Sequence, residues 1–394
     1  MKKPNFVLLA DAYKYSHHKL YYPGTTQIYS YLESRGGKYD NTVFYGLQYF
    51  LKEYVAGPAF TQQDLDEAAA FMPQVFGRDD VFDKSKFQYI LDKYDGHLPV
   101  RIKAVAEGTA VPVGNALMTI ENTDPQCFWL TNFLETLLMQ VWYPCTVATV
   151  SREVKKLVSR YYAETATEGA EVGIDYVLND FGFRGASSVE SAGLGGSAHL
   201  INFLGSDTIA ASVFAKEYYS AKKVYGLSIP ATEHSICTLL GKEGELKIFK
   251  HVLDTFPQGI VACVSDSYNI FKACDTYWGT ELKAQILQRE GTLVIRPDSG
   301  DPIQTLLALF KILFEKFGYT LNGKGYKVLP PQVRIIQGDG VNYDSIHEIY
   351  EALKAAGVSA ENLVLGMGGA LLQKVDRDTQ KFAIKCSYAL MDGK

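Results

Sequence analysis

The sequence predicts an α/β fold: a (β/α) barrel-like parallel sheet with an additional N-terminal α+β domain. Three observations carry this. Six short apolar runs, at 176–185, 227–234, 261–267, 293–300, 334–340 and 363–369, each break into a cluster of charged or glycine residues. Such runs read as strands buried on both faces, as in parallel sheets. Helical segments at 208–219, 268–289 and 302–317 lie between them, the alternation of βα units. Residues before about 150 do not follow this rhythm, so the domains are set at 1–150 and 151–394.

In the first domain, 28–33 alternates like a strand. Residues 61–76 read as a helix, with Thr61 as N-cap and Gly77 near its end. Residues 100–121 read as a β-meander, with Glu107-Gly108 and Val113-Gly114-Asn115 as turns. Asp124-Pro125 then caps a long apolar helix. A second helix at 146–164 carries Arg152, Lys155, Lys156 and Arg160 on its wetter side. Residues 220–225 and 319–326 are the most linker-like, and 384–390 reads as a last strand.

Of the 394 residues, 47% are hydrophobic and 21% charged, ample for a large core. The net charge of −5 argues against nucleic acid or an anionic membrane surface as partner. The start, Met1 to Asp11, imitates a leader only briefly, because Asp11 ends its short apolar core. The apolar segment 127–142 is interrupted by Asn132, Glu135 and Gln140 and does not span a bilayer. Cysteines 127, 145, 237, 263, 274 and 386 form no CxxC or zinc spacing, so they read as free thiols, mostly buried, in a reducing cytoplasm.

In α/β folds the loops after parallel strands build the site. Arg, Asp, His and Gly residues at these strand ends therefore converge, and suit an anionic, phosphorylated substrate. Arg296 offers a donor fork to phosphate, and Asp298 suits a ribose hydroxyl or Mg²⁺. The competing reading of 296–302 is a connecting turn. Gln337-Gly338-Asp339-Gly340 and Gly366-Met367-Gly368-Gly369 end successive strands and suit a phosphate cradle. The glycine spacing matches neither a P-loop nor a dinucleotide fingerprint. His234, beside Glu233, suits acid–base or nucleophilic work. Asp266 and Asp207 stand equally as helix N-caps or ligand contacts. Phe181 and Arg184 suit stacking of a planar heterocycle. The remaining histidines show no metal-ligand spacing, and no metal ligands are assigned.

Longer motifs resemble the nicotinamide phosphoribosyltransferase family. They include Asp11-Ala12-Tyr13-Lys14, Val43-Phe44-Tyr45-Gly46-Leu47-Gln48-Tyr49, Leu91-Asp92-Lys93-Tyr94-Asp95-Gly96-His97-Leu98-Pro99, Ser197-Ala198-His199-Leu200 and Leu371-Leu372-Gln373-Lys374, within a similarity running from Phe6 to Lys385. The resemblance implies a type II phosphoribosyltransferase architecture and a homodimer with active sites at the interface. It implies that nicotinamide lies between Phe181 and Tyr13 of the partner subunit, with Asp11 also on the substrate, Arg184 near the ring and Asp207 accepting the carboxamide N–H. Arg296, Asp298, Gly338, Asp339, Gly368 and Gly369 fall on the ribose and phosphate positions. Asp266 falls near the diphosphate and Mg²⁺. Arg35, Arg377 and Lys385 fall on basic residues that hold phosphates from the facing subunit. His234 falls on a histidine phosphorylated by ATP.

The implied enzyme makes nicotinamide mononucleotide and pyrophosphate from nicotinamide and phosphoribosyl pyrophosphate, in the cytoplasm, for NAD biosynthesis. The family continues past the position of Lys394, so the resemblance implies that its usual C-terminal segment is missing here and that ATP coupling is affected. Alternatives are a nicotinate or quinolinate phosphoribosyltransferase, or a non-catalytic nucleotide-binding form. Asp207 speaks against an acid substrate.

Overall fold

The computed structural model describes residues 4–394. Met1-Lys2-Lys3 of the leader-like start lie outside them. The chain forms two compact units, Met1–Thr149 with Val375–Lys394, and Val150–Lys374.

The first unit begins its sheet with β1 (Thr25–Ser34), in which Ile28, Ser30, Leu32 and Ser34 are buried, the period of two that a one-sided sheet demands. β2 is Asn41–Val43. Helix α1 (Gln62–Phe76) starts where Thr61 and Asp64 form a reciprocal capping box, and it ends at Gly77, whose φ of 64° is left-handed. Helix α2 is Lys84–Tyr94. Strands β3 (Val100–Ala104), β4 (Ala110–Pro112) and β5 (Ala116–Asn122) follow. They do not form the expected meander. β3 pairs with β5 and β5 with β1, whereas β4 turns away to pair with β2. The expected long helix after Asp124 is also broken, into a 3₁₀ turn at Pro125–Cys127 and short helices at Leu130–Phe133 and Glu135–Met139. Asn132 is tied by its side chain to Ser30 and Tyr21, which holds this segment onto β1. Helix α3 (Trp142–Thr165) is long and runs past Thr149 into the second unit, where its basic face is neutralised by pairs such as Lys156–Glu153 and Lys155–Asp175.

The second unit holds β6 (Leu178–Asp180), α4 (Val189–His199), β7 (Gly205–Ser206), α5 (Ile209–Tyr219), α6 (Glu245–Thr255), β8 (Gln258–Val264), β9 (Glu290–Arg296) and α7 (Pro302–Phe317). A hairpin of β10 (Thr320–Leu321) and β11 (Lys327–Val328) occupies the expected linker. β12 (Val333–Gln337), α8 (Tyr343–Ala355) and β13 (Leu363–Met367) complete it. The strands form one parallel sheet in the order β7-β6-β13-β12-β9-β8.

The expected strand at 227–234 is not a regular strand. Leu227 bridges to Gly205 on one edge strand and Ala231 to Ala262 on the other, so the segment joins both edges and the sheet curls into a barrel. Pro230 has no N–H to give a ladder, but its carbonyl accepts from Ala262 N–H at 2.9 Å. The expected helix at 268–289 is likewise divided, with a π-helical stretch at Ala273–Glu281. That stretch carries Trp278 inward, to stack on Phe249 at 4.2 Å and donate to Ser265 Oγ.

Residues 375–394 depart from the range 151–394 set from sequence. β14 (Phe382–Met391) returns to the first unit and pairs antiparallel with β1, covering an edge that would otherwise stand open.

Candidate active site

Within the second unit, the strands deliver their polar ends to one mouth. Phe181 follows β6, and its N–H donates to Met367 O at the end of β13 (3.0 Å). Asp207 follows β7, its N–H held by Asp180 O at 2.9 Å. Ser228, on the segment joining the sheet edges, donates to Asp207 Oδ1 at 2.5 Å. A cavity of about 440 Å³ opens here, its lining including Phe181, Asp207, Ser228, Ile229, Val294 and Arg296. Its volume and mostly apolar walls suit a small aromatic ligand.

Arg296 ends β9. Its guanidinium lies 5.4 Å from the Phe181 ring centre and donates to Asp298 Oδ1 through Nη2 (2.8 Å) and Nε (3.2 Å). His234 Nε2 lies 3.3 Å from Asp298 Oδ2, and its Nδ1 lies 3.3 Å from Ser267 Oγ. The imidazole is half exposed. Asp266 caps no helix. It accepts from Asp298 N–H at 2.9 Å and Ser299 Oγ at 2.6 Å, fixing the loop that presents Asp298. The helix beyond it is capped by Asn269 instead.

Gly338 and Asp339 follow β12, with Gly338 against the Arg296 guanidinium, while Gly368 and Gly369 follow β13, with Gly368 beside the backbone of Phe181. A Cβ on Gly369 would meet nothing within 4 Å, and one on Gly338 or Gly368 only ordinary contacts, so these glycines leave room rather than fill a tight joint. The strict glycine is Gly366, where a Cβ would fall 2.1 Å from Phe181 Cε2. Arg184 lies exposed in the turn Phe183–Gly185 and does not line the cavity.

The other expected residues belong to the first unit. Tyr13 is 57% exposed and edge-on to His17. Asp11 accepts from Thr136 Oγ1 at 2.8 Å. Arg35, Arg377 and Lys385 gather on the β1–β14 pair: Arg35 N–H donates to Lys381 O, Lys385 pairs with Tyr31, and Arg377 lies in the turn before β14. Sequence reasoning assigned no role to Asp180, Ser228 or Ser267. All three stood inside runs already singled out, but nothing in their spacing distinguished them.

Among the described residues no group of three or more His, Cys, Asp or Glu forms a ready metal cage. Asp266 Oδ1 is buried without a hydrogen-bond partner. One such carboxylate fits Mg²⁺ that arrives with substrate phosphates, since Mg²⁺ usually takes one or two protein carboxylates.

A curled parallel sheet with these strand-end groups defines the type II phosphoribosyltransferase class. The structure of nicotinate-nucleotide pyrophosphorylase from Pyrococcus furiosus shares the fold with a TM-score of 0.59 at 13% identity, covering 99% of this chain and 77% of that one. Human nicotinic acid phosphoribosyltransferase gives 0.57 at 16% identity, covering 97% and 75%. Residues 176–394 match the model of the nicotinate phosphoribosyltransferase (NAPRTase) family, and residues 5–102 match the nicotinamide phosphoribosyltransferase N-terminal domain. Nicotinamide phosphoribosyltransferase from Xanthomonas campestris is 50% identical over 99% of this chain and 82% of its own length. That from Acinetobacter baylyi is 32% identical over 97% and 82%. The chain belongs to the nicotinamide phosphoribosyltransferase family. No helix among the described residues is long and apolar enough to cross a membrane.

Proposed function

We propose that this chain joins nicotinamide to phosphoribosyl pyrophosphate, giving nicotinamide mononucleotide and pyrophosphate for NAD synthesis. Asp207 carries the reading. It is an exposed carboxylate on the cavity wall, partnered by a serine hydroxyl, with Phe181 lining the same cavity. A carboxylate accepts from a carboxamide N–H and repels a carboxylate, so this pocket favours the amide over nicotinate.

The pyridine stacks on Phe181, and Asp207 orients its carboxamide. The ring nitrogen lone pair forms the bond to C1 of the ribose as the C1–O bond breaks and its electron pair leaves with pyrophosphate. Arg296 and the open glycine ends meet the phosphates, supplying positive charge where negative charge develops. Mg²⁺, when bound, adds charge neutralisation, with Asp266 and Asp298 as its protein donors. Orientation and electrostatics supply the catalysis, without a covalent sugar intermediate.

ATP stimulates this reaction by phosphorylating His234. An imidazole nitrogen attacks the γ-phosphorus, a P–N bond forms, and the P–O bond to ADP breaks. Asp298 and Ser267 orient the ring for that step. The chain works as a homodimer. Tyr13 of the partner subunit covers the open face of the nicotinamide, and the partner's Arg35, Arg377 and Lys385 meet the phosphates. The exposed Tyr13 ring supports this. The six free cysteines suit a reducing cytoplasm.

The test is nicotinamide mononucleotide formation with and without ATP, with nicotinate in parallel, because the matched family model carries the nicotinate name. Turnover of nicotinamide over nicotinate, raised by ATP, is expected. His234→Ala should abolish the ATP increment and the acid-labile phosphate on the protein. Preference for nicotinate would establish the acid-specific reading instead. Absence of product from a folded dimer would establish the non-catalytic one.

A further inference from the structure

The last residue of β6 is Asp180, which is fully buried. Its Oδ1 accepts from Gly182 N–H at 2.7 Å, closing a tight turn around Phe181. Its main-chain oxygen accepts from Asp207 N–H at 2.9 Å. The ring face and the amide acceptor are thus both suspended from this one residue. Asp180 Oδ2 and Thr208 Oγ1, on the residue after Asp207, are both buried and make no well-formed hydrogen bond, although the Thr208 and Ser206 hydroxyls lie close enough to favour the carboxylate. Gly196 of α4 closes the third side: a Cβ there would stand 3.1 Å from Asp180 Oδ2 and 2.7 Å from Ala211 Cβ.

We propose that Asp180 is a positioning residue for the pyridine. Its side chain fixes the Phe181 turn while its main chain fixes Asp207, and together they set the spacing between ring face and amide acceptor. Burial, with the nearby Asp207 charge, pushes the Asp180 carboxyl up to about 6.

This inference rests on the nicotinamide reading, and the experiment separates the two. The full chain is assayed as wild type, Asp180→Ala, Asp180→Ser and Asp180→Asn, varying the pyridine and phosphoribosyl pyrophosphate in turn. Asp180→Ala should raise the nicotinamide KM about tenfold, the loss of one buried hydrogen bond. The KM for phosphoribosyl pyrophosphate should stay unchanged, and the preference for nicotinamide over nicotinate should fall. Asp180→Asn keeps the acceptor for Gly182 and gains a donor for Thr208, so it should return the KM to within about threefold of wild type. Where the alanine variant does not fold, Asp180→Ser decides: its hydroxyl can accept from Gly182 N–H only more weakly than the carboxylate, so it must show a smaller rise confined to the nicotinamide KM. Equal changes in both KM values, or none, overturn the role. Wild type that uses nicotinate defeats the reading but leaves the positioning role legible in the nicotinate KM. Folded wild type that uses neither pyridine defeats both.

Discussion

The two ends of the barrel mouth are built on different principles. At the ring end, Asp207 is partnered by a hydroxyl, beside an aromatic face. At the phosphate end the polar side chains are cross-linked: Arg296 to Asp298, Asp298 to His234, and Asp266 to the loop carrying Asp298. A flat, neutral heterocycle needs a face and an acceptor with capacity to spare. A polyanion needs cations already aimed, and a guanidinium whose two N–H groups are held on one carboxylate oxygen is oriented before the phosphate arrives. Arg296 belongs to both ends, since it also lies over Phe181.

Arg296→Ala is therefore the strongest way to break the division. It strips Asp298 of its paired cation and removes one neighbour of Phe181. A loss of about 10³-fold in kcat/KM is expected, the scale of unpairing a partly buried ion pair. The KM values for nicotinamide and phosphoribosyl pyrophosphate should both rise. If only the phosphoribosyl pyrophosphate KM moved, the two ends would be independent. Asp207→Asn comes next and should act at one end alone. The nicotinamide KM should rise about 10- to 100-fold, because a charge-assisted hydrogen bond becomes a neutral one, while the KM for the phosphorylated substrate holds. Steady-state kinetics with each substrate varied separates the two variants.

The phosphate end was legible in the sequence because its residues follow apolar runs that β8, β9, β12 and β13 then realise. The ring end was only partly so. Phe181 and Asp207 were named, but β7, which delivers Asp207, is two residues long, below what periodicity can register. Residues 227–234 have the composition of a strand, yet Pro230 lets them only bridge the sheet edges. Glycine spacing marked Gly366 to Gly369 as a phosphate cradle, whereas what Gly366 admits is an aromatic ring from another strand end, which lies where its Cβ would stand. Nor does local sequence signal that β14 joins β1: Thr26 and Leu390, bonded across that pair, are 364 residues apart. Burial of Asp180 is likewise a product of packing from α4 and α5, which no one-dimensional pattern encodes.

The charge state of the ring end gives a smaller effect, read as stability. Unfolded Asp180 titrates near the ordinary aspartate value, about 3.9. In the native state it titrates at about 6. Between these values the native chain holds a proton that the unfolded chain has lost, so this contribution falls as pH rises through the window. His199 has the opposite sign. Buried between Ser151 Oγ and Gly205 O, it is pushed down to about 4, so the unfolded chain binds the extra proton and stability rises with pH from about 4 to about 6.5. The two partly cancel in the wild type. Asp180→Asn removes one of them, so its stability should climb more steeply between pH 4.5 and 6 than that of wild type, by up to about 1.4 kcal/mol per pH unit. Urea unfolding at a series of pH values checks this. Parallel curves would mean that Asp180 titrates as an ordinary aspartate in the folded chain.

The smallest effect is expected from Ser228→Ala. Ser228 spends its proton on Asp207 Oδ1 at 2.5 Å, a short bond of the charge-assisted kind. That bond orients the carboxylate but also withdraws some of its capacity to accept from a ligand. Removing the hydroxyl should loosen the orientation and free a lone pair at once, so the nicotinamide KM should change only about three- to fivefold, upward, with kcat spared. Combining Ser228→Ala with Asp207→Asn then decides what the serine does. If it acts only through the carboxylate, the double variant should match Asp207→Asn alone, because the coupling energy equals the whole effect of the serine. An additive loss would mean that Ser228 touches the carboxamide itself, and that the ring end has two polar contacts with the ligand where Asp207 alone was assigned one.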